Sequence, residues 1–462
     1  MSPLQEVLNV IDSDQENALN RLFELLKIPS ISTDLQYAQP CKEAADWLVQ
    51  DLQSIGINAS RRDTPGHPMV VGHTTGNLEN KPHILFYGHY DVQPIDPLEL
   101  WHNDPFSPSL EETDTGTVIR ARGSADDKGQ LMTFIEACRS WQSVHGELPL
   151  NITFLFEGEE ESGSPSLIPF LQANADELRS DLALICDTGM WNDKTPAICT
   201  MLRGSLGDEI TIVAADKDLH SGMYGGAAQN PVRVLAKILA NLHDDAGRVT
   251  LEGFYDGVNE LPEQIAQQWE GLGFNEKEFL GSVDLSVPAG EKNYTALEQI
   301  WSRPTCEFCG ITGGYTGEGF KTVLPSRASA KISFRLVGTQ DPITIRKSLR
   351  QHIENHLPAD CTVEYKEYGA SPATVMSIEN PAFEKARQAL SNEWTTEAVY
   401  IGCGGSIPIV GDFHEILNME SLMIGFGLDD DQIHSPNEKY NLNSFQKGIK
   451  SWARVLDALA QP

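Results

Sequence analysis

Residues 84–91 read Ile-Leu-Phe-Tyr-Gly-His-Tyr-Asp, a short apolar run that ends in a histidine and an aspartate. A run of this length and composition is typical of a buried strand. Similar runs occupy 152–156 and 182–186, and apolar residues at helical spacing, as in 131–141, lie between the runs. Strands that alternate with helices predict βαβ units, and therefore an α/β fold with a mostly parallel sheet.

The pattern of the chain changes near residues 203 and 375. Between these points lie three strand patterns, two of which flank a helical pattern at 343–356. That order is typical of a separate α+β domain. We predict one α/β domain interrupted by a smaller α+β domain, with the bounds 1–203, 204–374 and 375–462.

The composition is that of a globular protein with an acidic surface. The chain has 462 residues, of which 40% are hydrophobic, and 66 acidic residues against 34 basic ones give a formal charge of -32. Such a surface repels phosphate backbones and anionic lipids, so we expect neither a nucleic-acid nor a membrane partner. No stretch approaches the ~20 apolar residues of a membrane span, and the N-terminus lacks the pattern of a secretory signal.

The eight cysteines are scattered through the chain. In a chain of this size, that distribution favours reduced thiols, and hence a cytoplasmic location, over a disulfide scaffold. Cys306 and Cys309 form a lone CxxC pair, whereas a structural zinc site needs two more ligands at a similar spacing. We therefore assign no metal to this pair.

Histidines and acids follow the apolar runs at the points where the strands should end. One such residue is more often a cap or a turn former, but here the pattern recurs at five places. In parallel sheets, sites form beyond the carboxyl ends of the strands because the loops there converge. Imidazole and carboxylate groups suit zinc and similar divalent ions, so the sequence predicts a metal site. The segments concerned are 88–91, 122–129, 157–161, 187 and 427–434.

Three other functional motifs can be excluded because the chain lacks residues that each of them requires. The stretch 314–322 looks like a phosphate-binding loop, but Phe320 separates the Gly from the Lys that the motif requires to be adjacent. His414-Glu415 is not followed by the second histidine of an HExxH protease. The chain contains no GxSxG nucleophile elbow.

Five segments, in a fixed order, resemble the metal-site motifs of the M20 family of metallopeptidases. They read GHYDVQP from residue 88, ARGSADDKG from 121, EGEEESGS from 157, ICDTG from 185 and HSPNEKYN from 434. The resemblance extends over nearly the whole chain and is greatest to the branch of the cytosolic non-specific dipeptidase and carnosinase. It implies a di-metal catalytic domain, a smaller lid or dimerisation domain, and a homodimer.

The resemblance implies a ligand for each metal position. His89 and Asp187 would hold one ion, Glu161 and His434 the other, and Asp126 would bridge the two. Asp126 is chosen because the family's bridging carboxylate stands two residues before the lysine and precedes a cis peptide bond. The two divalent ions would be zinc, although manganese and cobalt can share such ligands.

The resemblance also implies catalytic roles. Glu160 would act as the general base on a water that bridges the metals. Asp91 lies two residues from His89 and so on the same face of the strand, where it would orient the imidazole. Glu157 and Glu159 are interpreted as ordinary solvated acids.

Four residues match substrate-contacting positions of the family. His220, in DLHSGMYGG, would reach the active site of the partner subunit and bind the carbonyl oxygen of the substrate. Arg335 would bind a substrate carboxylate, because a guanidinium can do so bidentately. A loop histidine held by a hydrogen bond and a strand arginine paired with a surface acid would give the same patterns. Thr322 and Ser406 complete the set.

The expected activity is hydrolysis of the amide bond of dipeptides or similar small peptides. N-acyl-amino-acid deacylase and carboxypeptidase activities use the same metal core, so both are alternatives within the enzyme class. A catalytically inactive binding relative is the alternative of another class, and the general base Glu160 argues against it. The carnosinase branch has His-Pro after the insert where this chain has Asn380-Pro381, so the branch's exact substrate preference is not implied.

Overall fold

The structure is a computed structural model that describes residues 2–75 and 78–461. α-Helices separate the strands at 83–89, 151–157 and 182–185, whereas other strands of the first 185 residues follow one another without an α-helix between them. In chain order the strands are β1 Asn58–Arg62, β2 Met69–His73, β3 His83–His89, β4 Ser109–Thr113, β5 Gly116–Arg120, β6 Asn151–Glu157, β7 Leu182–Ile185, β8 Ala197–Leu202, β9 Gly204–Val213, β10 Leu219–His220, β11 Thr305–Gly313, β12 Val323–Leu324, β13 Arg327–Leu336, β14 Thr362–Ser371, β15 Thr374–Val375, β16 Val399–Cys403, β17 Ser421–Met423 and β18 Lys439–Asn441.

The helices include three short 3-10 turns, at Leu35–Tyr37, Leu98–Leu100 and Glu160–Ser162. The α-helices are α1 Pro3–Ser13, α2 Gln15–Leu26, α3 Ala38–Ser54, α4 Lys128–His145, α5 Leu167–Ala173, α6 Ala175–Leu178, α7 Ser221–Tyr224, α8 Pro231–Ala240, α9 Glu263–Gly271, α10 Glu276–Gly281, α11 Ala296–Trp301, α12 Pro342–His356, α13 Pro381–Trp394, α14 Pro408–Leu417 and α15 Leu442–Ala460.

Three helices begin at an Asn-Pro or Asp-Pro pair. Asn230 caps α8, Asp341 caps α12 and Asn380 caps α13, and each side chain accepts a hydrogen bond from a backbone N–H of the first helical turn. The following proline fits the first helical position, because its missing N–H would have no partner there and its φ is already helical. Asn380-Pro381, where the carnosinase branch has His-Pro, therefore acts here as a helix start.

Contacts divide the chain into two compact units. The first unit consists of Met1–Thr200, Met376–Ile401 and Asp412–Pro462. The second consists of Met201–Val375 and of the short segment Gly402–Gly411, although the change of pattern near residue 375 predicts that this segment lies in the α/β domain. This segment begins with the last two residues of β16 and contains Ser406.

A nine-stranded sheet has the order β1-β2-β6-β3-β7-β17-β8-β15, with β16 also paired to β8. Its centre is parallel, because β3 pairs in parallel with β6 and β7, and β17 pairs in parallel with β7. The flanking pairs of β1 with β2, β2 with β6, and β8 with β15 and β17 are antiparallel. The carboxyl ends of β3, β6 and β7 therefore lie at one edge. The predicted fold class is confirmed, with the parallel pairing limited to the central strands.

Aromatic rings fill the core between this sheet and helices α4 and α15. Phe86 of β3 stacks on Phe134 of α4 with ring centroids 3.6 Å apart. Trp452 of α15 meets both rings edge-on, and all three side chains are fully buried. Edge-to-face contacts of this kind add to the free energy gained by burying the rings. In the described part of the chain, no helix has the length and apolar character needed to cross a membrane.

The second unit contains an antiparallel sheet of order β11-β13-β9-β14. Residues of β9 alternate between buried and half-buried positions, as a sheet with one covered face requires. Helices α8 and α12 cover that face, where Ile210 of β9 packs in one apolar cluster with Leu235, Ile238 and Leu349. This α+β arrangement contains the three strands and the helix at 343–356 that the sequence pattern indicates, together with β11, which the pattern does not predict.

Candidate metal centre

Five polar side chains of the first unit converge at the carboxyl edge of the central strands. His89 is the last residue of β3, and Asp187 follows β7 by two residues. Asp126 precedes α4, and Glu161 lies in the 3-10 turn after β6. His434 lies in the loop after β17. These residues form two groups, His89 with Asp126 and Asp187, and Asp126 with Glu161 and His434, each with its ligand atoms within 4.8 Å of one another.

Asp126 belongs to both groups because its two carboxylate oxygens face different histidines. Oδ1 lies 3.1 Å from His89 Nε2, and Oδ2 lies 2.9 Å from His434 Nε2. The remaining distances are 3.9 Å from His89 Nε2 to Asp187 Oδ2 and 3.2 Å from His434 Nε2 to Glu161 Oε2. Ligand atoms about 2.0–2.2 Å from a tetrahedral ion lie about 3.3–3.6 Å from one another, so small shifts of these side chains would give coordination. The peptide bond between Asp126 and Asp127 is cis, as the resemblance implies.

The unused nitrogen of His89 is held by Asp91. His89 Nδ1 lies 3.1 Å from the backbone oxygen of Asp91 and 3.4 Å from its Oδ1. A proton on Nδ1 leaves the lone pair of Nε2 directed at Asp126, and this is the tautomer that a metal ligand needs. The Asp91 carboxylate also accepts the backbone N–H groups of Glu160, at 3.2 Å, and Glu161, at 3.0 Å. The buried Asp91 therefore orients the ligand His89 on β3 and also the turn that contains the ligand Glu161.

Burial and close charges separate the pKa values within the cluster. Burial lowers the pKa of His89, but hydrogen bonds to Asp126 and Asp91 outweigh it and place the pKa well above its ordinary value. Hydrogen bonds to Asp126 and Glu161 raise the pKa of His434 to about 10. Burial, followed by the charge of Asp126, raises the pKa of Asp187 well above the ordinary range. The cluster therefore concentrates negative charge that a divalent cation would neutralise.

Glu160 and Glu161 are neighbours in the chain but have different surroundings. Glu161 Oε2 accepts a hydrogen bond from Gln93 Nε2 at 2.8 Å and faces His434. Within the described residues, the carboxylate of Glu160 has no hydrogen-bond partner. Burial raises the pKa of Glu160, and the nearby Glu161 and Asp91 charges act in the same direction. A carboxylate without a fixed partner, next to a ligand cluster, is able to accept and release a proton.

The interpretation of Glu157 and Glu159 as solvated acids is wrong. Glu157 is fully buried and accepts a hydrogen bond from the Tyr87 hydroxyl at 2.7 Å. Glu159 is 2% exposed and accepts the backbone N–H groups of His67, at 2.9 Å, and Ser166, at 3.0 Å. Both acids hold the segment after β6 to other parts of the first unit. Tyr87 and His67 are 70 and 92 positions away from the acids they contact, so no local pattern distinguishes these acids from surface acids.

Asp127 is a further buried acid that the sequence analysis did not assign. Its carboxylate accepts the backbone N–H of His89 at 3.1 Å, and burial raises its pKa to about 7. A Cβ atom at Gly88 would lie 2.9 Å from Asp127 Oδ2, so a side chain at this position would displace the acid. Glycine at the end of β3 therefore lets Asp127 approach the strand and support the backbone of a ligand.

His220 and Thr322 lie side by side in the second unit. Strands β10 and β12 pair so that His220 opposes Val323, and the Ser221 N–H donates to the Thr322 carbonyl at 3.1 Å. Both side chains are exposed. His220 Nδ1 accepts the N–H of Gly222 at 3.0 Å. In the neutral imidazole, Nε2 then carries the proton and can donate a hydrogen bond.

Arg335 and Ser406 form a second pair in this unit. Arg335 Nη1 donates to Ser406 Oγ at 3.3 Å, and Ser406 Oγ donates to the backbone oxygen of Arg203 at 2.5 Å. Arg203 also donates from Nε to the Gly404 carbonyl at 3.0 Å and from its backbone N–H to Gly405. Within the described residues, neither arginine has an acidic side chain in ion-pair contact. A guanidinium without a counter-ion is available to an anionic ligand.

The two cysteines of the CxxC pair lie on strand β11. Cys306 is buried and Cys309 is exposed, and both are free thiols. A register shift between Phe308 and Gly310 separates them along the strand.

The donor set fits divalent metal ions, since two imidazoles and three carboxylates converge in two groups that share one acid.

Comparison with known proteins leads to the same conclusion as the geometry of the site. Residues 85–458 match Peptidase family M20/M25/M40. The chain is 29% identical over 472 residues to a Cys-Gly metallodipeptidase of Schizosaccharomyces pombe, which covers 99% of this chain and 98% of that protein.

A second curated relative is the Beta-Ala-His dipeptidase of Homo sapiens, 28% identical over 99% of this chain and 93% of that protein. Among solved structures, an M20 family metallo-carboxypeptidase from Sulfolobus solfataricus aligns with a TM-score of 0.81 and 32% identity. That alignment covers 96% of this chain and 99% of the other. The chain therefore belongs to Peptidase family M20/M25/M40 and is a metallopeptidase, which confirms the resemblance drawn from the five motifs.

Proposed function

We propose that this metallopeptidase hydrolyses the amide bond of dipeptides or similar small peptides, with two divalent metal ions held in the first unit. The observation that carries the proposal is the position of Asp126, whose two oxygens face two separate histidines. In this assignment His89 and Asp187 hold one ion, Glu161 and His434 hold the other, and Asp126 belongs to both. The names of the curated relatives, both dipeptidases, support a dipeptide as substrate.

Zinc is the ion we assign to both positions, because imidazole and carboxylate ligands suit it, although manganese and cobalt can bind the same set. Ions at such a site supply Lewis acidity and lower the pKa of a water nucleophile from 15.7 to about 7. The protein contributes ligands that are already at coordination spacing. It also contributes Asp91, which fixes the tautomer of His89 through Nδ1.

Glu160 is the general base in this proposal. It takes the proton of the attacking water and passes it to the amine nitrogen that leaves, a role that needs a carboxylate free to change its protonation state. The absence of a hydrogen-bond partner for its carboxylate within the described residues supports this choice over Glu161. Glu161 is committed to Gln93 and to the His434 group.

His220 and Arg335 are the substrate-binding residues of the second unit. The Nε2–H of His220 is a donor for the carbonyl oxygen of the substrate, which gains negative charge as the bond breaks. Arg335 binds the carboxylate of the peptide, and Ser406 fixes one of its nitrogens in place. Thr322 supports the backbone next to His220.

A homodimer completes the proposed enzyme, with His220 of each subunit serving the site of the other. Exposed apolar side chains of the second unit supply a surface for association, among them Ile311 on the edge strand β11 and Met223 beside His220, which are 63% and 75% exposed. Large exposed apolar residues on an edge strand are a common mark of a partner surface. We place the protein in the cytoplasm, because eight cysteines scattered through a chain of this size favour reduced thiols.

A carboxypeptidase is the second candidate function, favoured by the 32% identity to the Sulfolobus solfataricus metallo-carboxypeptidase. One experiment separates the candidates. The purified protein, loaded with zinc, manganese or cobalt, is assayed with dipeptides, with longer peptides and with N-acetyl amino acids at equal concentration. We expect kcat/KM to be highest for dipeptides. Preference for the C-terminal residue of longer peptides would establish the carboxypeptidase instead, and preference for N-acetyl amino acids a deacylase.

A further inference from the structure

Glu438 is a buried acid four residues after His434, and the proposed mechanism does not use it. Its side chain is fully buried. Oε1 accepts the backbone N–H groups of Ala125, at 2.9 Å, and Asp126, at 3.1 Å. Oε2 accepts the backbone N–H of Gly123, at 3.0 Å, and Nη1 of Arg122, at 2.8 Å. All four donors belong to one segment of five residues.

That segment has neither helical nor strand structure, although it carries the ligand shared by both groups. Residues 121–127 lie between β5 and α4, and Gly123 has a φ of +81°, in the left-handed region. Backbone N–H groups in such a buried segment need acceptors from elsewhere. The Glu438 carboxylate accepts three of these N–H groups, those of Gly123, Ala125 and Asp126. The conformation that places the Asp126 side chain between the two histidines therefore depends on Glu438.

Strand pairing delivers Glu438 to this position. Strand β18 pairs with β5 so that Lys439 opposes Arg120, and the Ala121 N–H donates to the Glu438 backbone oxygen at 3.3 Å. The same stretch of chain carries His434. His434, a ligand of one group, and Glu438, which supports the shared ligand Asp126, are therefore only four residues apart in the chain.

Arg122 connects the segment of Asp126 to the residues that follow a third ligand, His89. Its Nη2 donates to the backbone oxygen of Pro94 at 2.9 Å, five residues after His89, and its guanidinium lies 5.2 Å from the ring centroid of Trp101. The ion pair of Glu438 and Arg122 is almost completely buried, with 0% and 1% of the two side chains exposed. A buried pair of this kind tolerates little displacement, because removal of one partner leaves the other charge unpaired.

We propose that Glu438 is a positioning residue that sets the affinity of the centre for metal, by holding the backbone of Asp126 and joining the segments of His89, Asp126 and His434. This inference rests on the proposed metal sites. Partners that orient metal ligands typically change metal affinity about 10- to 100-fold when they are replaced. Glu438→Gln keeps the size of the side chain but replaces one acceptor oxygen by an NH2 group that faces two donors.

The test measures metal binding, not catalysis. The apoprotein is prepared with a chelator and titrated with zinc chloride in a calorimeter, with a competing chelator of known affinity. We expect two bound ions in the wild type and a loss of affinity of about 10-fold or more in Glu438→Gln. The matched control is Glu136→Gln, because Glu136 is also buried and bound by arginine, at 2.6 Å from Arg21 Nη2, but contacts no ligand segment. Its zinc affinity should equal that of the wild type.

Two zinc ions bound by Glu438→Gln with wild-type affinity would overturn the inference while the proposed function stands. A wild-type protein that binds no zinc, manganese or cobalt would overturn both. Should Glu438→Gln fail to fold, as judged by circular dichroism, Glu438→Asp takes its place. It keeps the charge but is shorter by one methylene, so it cannot reach all four donors, and unchanged zinc affinity in that variant would equally refute the inference.

Discussion

Replacement of His220 by alanine should lower catalysis without affecting the fold. The side chain is exposed, and its hydrogen bond in the described structure joins Nδ1 to the adjacent N–H of Gly222 at 3.0 Å. Loss of such a local surface contact changes the free energy of unfolding by about 0.5 kcal/mol or less. A donor held at the reacting carbonyl oxygen contributes about 2.7–4 kcal/mol to the transition state. We therefore expect kcat to fall about 100- to 1000-fold.

Steady-state kinetics with a dipeptide test this expectation. Because the contact strengthens only as charge develops on the oxygen, KM should change much less than kcat. Metal content, measured by mass spectrometry, and the dimer, measured by sedimentation, should match the wild type. His356→Ala is the matched control, since His356 is an exposed histidine of the same unit with one local hydrogen bond, from Nδ1 to the His352 carbonyl. Its kcat should be unchanged.

Mixing two inactive variants distinguishes a shared site from a site within one subunit. If His220 serves the partner's site, a dimer of His220→Ala with Glu160→Ala contains one site with both changes and one with neither. Random exchange of equal amounts makes half of the dimers mixed, and each has one working site of two, so activity should return to about a quarter of the wild-type value. No return of activity, when labelled subunits are seen to exchange, would refute the shared site.

Three further outcomes are expected. Glu160→Ala should lose activity about 100- to 10,000-fold and retain both ions. Glu161→Ala should instead lose metal. Equal metal loss in the two variants would show that the base and the ligand are not divided between these residues. Removal of metal by a chelator should abolish activity and lower the unfolding temperature, and zinc at 1000 times its Kd should restore about 4.1 kcal/mol of stability for each ion bound, as calorimetry would measure. Arg335→Lys should raise KM for a dipeptide while the metal content stays constant, because an ammonium cannot bind a carboxylate bidentately, and an unchanged KM would argue for a structural arginine.

Much of the first unit could be predicted because its signals are local. An apolar run followed by a polar residue marks the end of a parallel strand, and His89 and Asp187 stand at such ends. The two groups of ligand atoms contain the five residues that the motifs indicate, while the roles assigned to them stay predictions. Residues 422–426 form another apolar run of the kind that predicts a strand, but the strand in the structure is shorter, Ser421–Met423, although Ile424 and Phe426 are also fully buried. The Ile424 N–H still donates to the Ile185 carbonyl at 2.9 Å, so the apolar pattern reflects burial that extends beyond the residues assigned to the strand.

The supporting acids could not be predicted, for a physical reason. Glu157, Glu159 and Glu438 are each buried, yet in sequence they look like the many acids of a chain with a formal charge of -32. What distinguishes them is the donors they meet, and each acid has at least one donor that lies 70 to more than 300 positions away in the sequence. The place of Gly402–Gly411 in the second unit has the same origin, since Arg203 reaches Gly404 across 201 positions.

The chain passes between the two units four times, at 200/201, 375/376, 401/402 and 411/412. Because the second unit is built from two separate segments of the chain, a single recombination event could not insert or delete it as a whole. A copy of residues 201–375 placed in another protein would carry Arg335 without Ser406, the residue that holds its guanidinium. If Arg335 binds the substrate as proposed, exchange of substrate preference between relatives by swapping this region would require both segments to be transferred together.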